Sequence, residues 1–116
     1  MIVGVGTDLC SISRLSEALE RTPNLKARLF HSSEHDLPAN SLAARFAAKE
    51  AIAKALGDPK ILVWNEIALS KDSHGKPDFV FFGETKSRLE ALGYRFFVSI
   101  SHEQELASAF VVVEAN

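Results

Sequence analysis

Glu50 and Lys54 stand one helical turn apart in the stretch Leu42 to Leu56 (LAARFAAKEAIAKAL), and Arg45 and Lys49 repeat the spacing just before them. Carboxylates suit a hard cation, while ammonium and guanidinium groups suit phosphate or another anion. The stretch has no Gly or Pro and Ala at seven of fifteen positions, so propensity and length both predict a helix. At about 100° per residue, Glu50 and Lys54 share one side, and Arg45 and Lys49 share another more than about 90° away. The remaining positions are apolar all the way round, the pattern of a helix packed on several sides. Charges on such a helix need partners, which points to an anionic ligand, a metal, or both. The same four charges also suit a plain Glu50/Lys54 ion pair and a like-charged solvated edge.

The elements that must position these groups follow from the rest of the chain. Ile2-Val3-Gly4-Val5-Gly6 reads as a buried strand ending at Asp8, which is suited either to cap a helix from Ser11 to Arg21 or to serve as a ligand. Gly4-x-Gly6 lacks the third glycine of a dinucleotide fingerprint, its place being taken by Leu9, so that reading is rejected. Arg14, Arg21, Lys26 and Arg28 outnumber the acids of their segment and form a candidate docking face. Leu25, Leu29 and Phe30 anchor a short second helix after Pro23, and His31 to Ser41 reads as turn and loop. Asn40 or Ser41 is the expected N-cap of the central helix, and Gly57 its stop. Trp64 to Ser70 and Lys76 to Phe82 form a predicted hairpin around strong turn residues. A helix over 83–92, with Leu89 and Leu92 inward, leads to a second hairpin of Phe96 to His102 and Leu106 to Glu114. His102 then falls at a strand end, on the opposite face from Ser99 and Ser101.

At 116 residues the chain is expected to form one domain, residues 1–116, with a core of modest size. A formal charge of −2 gives no global pull toward nucleic acid, and no stretch has the length of a membrane span. Met1 leads straight into Ile2-Val3 without a basic segment, so no secretory signal is expected. Cys10 is the only cysteine and lies in an apolar run, which suggests a buried reduced thiol and fits the cytoplasm. Six of the eight Phe lie from Phe79 onward, more aromatic area than a small monomer easily buries, so oligomerisation is expected.

The stretches GVGTDLCSISRL (4 to 15), RFAAKEAIAKALG (45 to 57), GKP (75 to 77) and VSISH (98 to 102), in this order, resemble holo-acyl-carrier-protein synthases, the small phosphopantetheinyl transferases. The resemblance covers nearly the whole chain. It departs from the family pattern at His31-Ser32-Ser33-Glu34, where a Phe-Thr-x-x-Glu-like segment keeps only Phe30 and Glu34. It departs again at Asp58-Pro59-Lys60, in place of a Gly-rich continuation.

The resemblance implies an α+β fold, an antiparallel sheet with a long central helix packed on it, and a homotrimer with active sites between subunits. It implies Mg²⁺-dependent transfer of 4'-phosphopantetheine from coenzyme A to a serine of an apo acyl carrier protein, releasing adenosine 3',5'-bisphosphate and supporting fatty acid biosynthesis. Asp8 and Glu50 then correspond to the metal carboxylates and Lys54 to the lysine at the pyrophosphate. Arg45 and His102, with Ser101 nearby, correspond to ligands of the 3'-phosphate end; Lys49 either assists them or is structural. Arg14, with Arg21 on the same helix, corresponds to the carrier-protein contact. The serine proton is passed to Glu50 or to a water on the metal. Competing readings are a non-catalytic module that binds coenzyme A or a carrier protein, and a different Mg²⁺-dependent phosphotransferase or diphosphate hydrolase.

Overall fold

The computed structural model describes residues Met1–Asn116. β1 (Ile2–Ser11) pairs antiparallel with β5 (Leu106–Glu114), and β5 pairs with β4 (Arg95–Glu103), giving a three-stranded sheet in the order β1-β5-β4. β2 (Ile67–Lys71) and β3 (Pro77–Phe81) form a separate two-stranded sheet. The helices are α1 (Ile12–Arg21), α2 (Leu25–Leu29), α3 (Ala39–Leu56) and α4 (Gly83–Leu92), so the fold is α+β with α3 packed across β1 and β5. None of the helices is long and apolar enough to cross a membrane.

The alternation of β5 sets the two faces of the larger sheet. Ala107, Ala109, Val111 and Val113 are buried beneath α3, which answers with Ala43, Ala44, Ala47, Ala48, Ala51 and Ile52. Small side chains on both sides let helix and sheet come close. Val5 and Leu9 of β1, Phe97 of β4 and Leu106 and Phe110 of β5 are exposed on the outer face.

Several boundaries differ from the sequence expectations for physical reasons. β1 does not stop at Asp8: its pairing with β5 continues to Ser11 opposite Leu106, because β5 is long enough to carry it there. Ser11, not Asp8, is therefore the N-cap of α1, its Oγ accepting from the Arg14 N–H at 3.3 Å. The central helix begins at Ala39, so neither Asn40 nor Ser41 is its cap; Pro38 precedes it and its carbonyl accepts from Leu42 N–H. Leu92 is exposed and Thr85 takes the inward place, held by Glu66, whose Oε1 accepts from both Thr85 N–H and Oγ1–H at 2.9 Å. Both hairpins form, and α3 ends at Gly57 in the left-handed conformation, at φ 74°. Asp58-Pro59-Lys60 opens a single 3₁₀ turn capped by the Asp58 side chain.

Candidate active site

The inner face of β1 runs Gly4, Gly6, Asp8, Cys10, and the two glycines decide how near α3 can lie. A Cβ on Gly4 would overlap the carbonyl oxygen of Ala55, and one on Gly6 that of Ala51. Backbone therefore meets backbone, and the next inward residue, Asp8, comes up against the side of α3 that carries Glu50 and Lys54. Lys54 Nζ donates to Asp8 Oδ1 at 2.9 Å and to the Thr7 carbonyl at 3.0 Å. The alternative reading of a Glu50/Lys54 ion pair within the helix is not met, since the lysine turns to the strand instead.

Glu50 forms no ion pair, because Lys54 is taken up by Asp8. Its pKa is raised, first by burial and then by the negative charge of Asp8, with Lys54 opposing. The same two carboxylates act on Cys10, whose buried thiol is pushed up to about 11, again with burial as the larger cause. A protonated, buried thiol agrees with the sequence reading. Asp8 on β1 and Glu50 on the helix packed against it, with one lysine and no group of three His, Cys, Asp or Glu to close a cage, make an open site of hard oxygen donors. Such a pair fits Mg²⁺, which takes one or two carboxylates and leaves the rest of its shell to phosphate oxygens and water.

Arg45 and Lys49 lie on the other side of α3 and meet Glu34, in the 3₁₀ turn Ser32–Glu34. Lys49 Nζ donates to Glu34 Oε1 at 2.9 Å and to the Leu29 carbonyl at 2.8 Å, and sits 4.7 Å above the Phe30 ring. Lys49 is 1% exposed, so it is not a surface ligand for coenzyme A; its ammonium is spent inside the fold. Burial lowers its pKa against the pull of Glu34, and Arg45 lowers it further. Arg45 Nε lies 3.2 Å from Glu34 Oε2, within ion-pair reach but not aligned for a hydrogen bond, and its Nη1 donates to the Ser41 carbonyl at 3.4 Å.

Ser101 and His102 sit near the end of β4 and are exposed. Ser101 Oγ hydrogen-bonds Ser108 Oγ at 2.9 Å on the outer face, and His102 pairs in register with Ala107. Neither bonds to Asp8, Glu50 or Lys54 within the chain. Arg14 and Arg21 are exposed on α1. A cavity of about 550 Å³ opens between the β2–β3 hairpin and β4, with Lys71, Lys76 and Arg95 on its wall; Asp8, Glu50 and Lys54 do not line it.

The family model described as the 4'-phosphopantetheinyl transferase superfamily matches residues 4–109. The chain belongs to this family. The holo-[acyl-carrier-protein] synthase of Micrococcus luteus is 48% identical over 117 residues, spanning 98% of this chain and 93% of its own. That of Streptomyces coelicolor is 45% identical over 120 residues, spanning 97% and 98%. Among solved structures, holo-[acyl-carrier-protein] synthase from Neisseria meningitidis superposes with a TM-score of 0.87 at 35% identity, covering 98% of this chain and 99% of that one. The Bacillus anthracis synthase, in complex with CoA (3',5'-ADP), gives 0.82 at 30% identity, covering 100% and 99%.

Within this phosphopantetheinyl transferase, three features escape a reading of motifs. Gly4 and Gly6 serve helix approach, Glu34 is the partner of both Arg45 and Lys49, and Glu105 ties the β4–β5 turn to α1. Glu105 Oε1 accepts from Ser13 N–H at 2.7 Å and from Ser11 Oγ–H at 2.9 Å. Gly4 and Gly6 stand within the first resembling stretch, though without showing this role, and Glu34 is one of two residues retained in an otherwise altered segment; Glu105 carried no signal.

Proposed function

We propose that this chain carries out holo-[acyl-carrier-protein] synthesis, moving 4'-phosphopantetheine from coenzyme A to a serine of an apo acyl carrier protein. The observation that carries the reading is the bond of Lys54 on α3 to Asp8 on β1 at 2.9 Å, one helical turn from Glu50, whose pKa the Asp8 charge helps to raise. A non-catalytic module would have no use for that costly arrangement of like charges. Asp8 and Glu50 would hold Mg²⁺, which when bound neutralises charge on the diphosphate. Lys54, tied to Asp8, presents its ammonium beside the pair, where negative charge grows as adenosine 3',5'-bisphosphate departs. The serine oxygen forms its bond to the β-phosphorus, the bridging P–O bond breaks toward the leaving bisphosphate, and the serine proton passes to a carboxylate or to water.

Coenzyme A would be gripped at its 3'-phosphate by Arg45, His102 and Ser101. Those groups do not meet the carboxylates within one chain, so a site completed by a neighbouring copy accounts for both halves. The exposed apolar outer face, with Leu9 66% and Phe110 49% accessible, supports association of copies as a homotrimer. Arg14 and Arg21, seven residues apart on the exposed side of α1, suit the acidic surface of a carrier protein. Residues 1–116 would act as one domain in the cytoplasm, supplying holo carrier protein to fatty acid biosynthesis. Glu50→Gln keeps the shape and removes one metal-binding charge; turnover should fall about 10²-fold or more with the fold intact. Unchanged turnover would contradict the assignment.

A further inference from the structure

The Glu34 carboxylate is 2% exposed and makes three contacts, two to α3 and one to β2. Oε1 accepts from Lys49 Nζ at 2.9 Å, while Oε2 lies 3.2 Å from Arg45 Nε and accepts from the Leu69 N–H at 3.3 Å. One carboxylate thus faces two cations from consecutive turns of α3. Lys49 is fully engaged, through Glu34, the Leu29 carbonyl and the Phe30 ring. The surplus positive charge falls on Arg45, whose Nε lacks an aligned acceptor and whose Nη1 has only the distant Ser41 carbonyl. Arg45 Nη2 has no partner within the chain and, unlike Nε, is not fully buried, so with 9% of the side chain exposed the guanidinium is held from behind and keeps a free edge for an anion. A buried cation left short of negative charge gains most from an incoming phosphate.

We propose that Glu34 is a positioning residue for coenzyme A: it fixes the Arg45 guanidinium so that its free edge meets the nucleotide 3'-phosphate. The inference rests on the reading of Arg45 given above and adds to it the group that aims the arginine. Glu34 itself touches no substrate. Its effect reaches the ligand only through Arg45, so it acts on a coenzyme A that carries the 3'-phosphate and spares one that lacks it.

The test compares dissociation constants of coenzyme A and 3'-dephospho-coenzyme A for the full-length protein, by calorimetry, well below the unfolding temperature of each variant. Glu34→Gln should weaken coenzyme A about tenfold and leave 3'-dephospho-coenzyme A nearly unchanged, so the preference between the two collapses. If that variant does not fold, the double variant Glu34→Gln with Lys49→Met, which removes one charge of each sign, should show the same collapse. A preference kept intact in the folded variant, with only the unfolding temperature lowered, would make Glu34 purely structural and overturn the inference. Arg45→Met separates the two layers. If it too leaves the preference intact, the phosphate reading of Arg45 falls and the inference with it. If it abolishes the preference while Glu34→Gln does not, the inference alone is overturned.

Discussion

Adding a single methyl group at Gly6 should disable the site without touching any charged residue. The new Cβ would overlap the Ala51 carbonyl oxygen and stand 2.9 Å from Ala55 N and 3.0 Å from the Ala51 carbonyl carbon, all of it backbone. Carbon contacts relax at about 3.5–4.0 Å, so α3 must retreat from β1 by about 1 Å. No flexible side chain can yield instead. Overpacking of this kind costs about 1–3 kcal/mol, which thermal unfolding followed by circular dichroism should register as a lowered midpoint. The same retreat separates Lys54 from Asp8, now 2.9 Å apart, and opens the gap between Asp8 and Glu50. Misplacement by about 1 Å can cost roughly 10²-fold in rate, so kcat/KM for carrier modification should fall by that order in Gly6→Ala. Gly4→Ala, which meets Ala55 in the same way, should repeat the result. A Gly6→Ala protein with the wild-type midpoint and turnover would refute the claim that backbone contact between β1 and α3 assembles the site.

Phe110→Arg places a charge in the middle of the exposed apolar sheet face; sedimentation should show dissociation to smaller species, and an unchanged oligomer would contradict that face as the interface. Glu105 is held below its ordinary carboxylate range by hydrogen bonds from Ser13 and then Ser11, and Glu66 by those from Thr85. Both therefore add stability above pH 4.5, their ordinary value, and lose it as pH falls through the folded values; Glu105→Gln with Glu66→Gln should flatten the acid limb of the unfolding midpoint, and equal limbs would contradict this. With its pKa pushed up to about 11, Cys10 should react with a thiol reagent at neutral pH far more slowly in the folded protein than in denaturant; equal rates would contradict its burial.

The pieces legible in the sequence are those governed by local chemistry. The alanine-rich helix, the two hairpins and the glycine that ends α3 depend on propensity, alternation and backbone conformation, all of which short windows contain. The charges of α3 were legible as a need for partners, though not as the partners themselves. Lys54 pairs with Asp8 and Arg45 and Lys49 with Glu34, across separations that only packing decides. Strand length was hidden for the same reason: β1 extends past Asp8 because β5 offers it partners as far as Ser11. Gly4-x-Gly6 showed only what it was not, since close approach to a helix about 50 residues away leaves no local mark.

Incubating the purified protein with an apo acyl carrier protein, coenzyme A and Mg²⁺, and reading the carrier's intact mass with and without chelator, tests the central claim most directly. The Asp8–Glu50 site predicts a gain of one phosphopantetheine that the chelator abolishes and added Mg²⁺ restores. A carrier mass that never changes, while coenzyme A still binds, would contradict it.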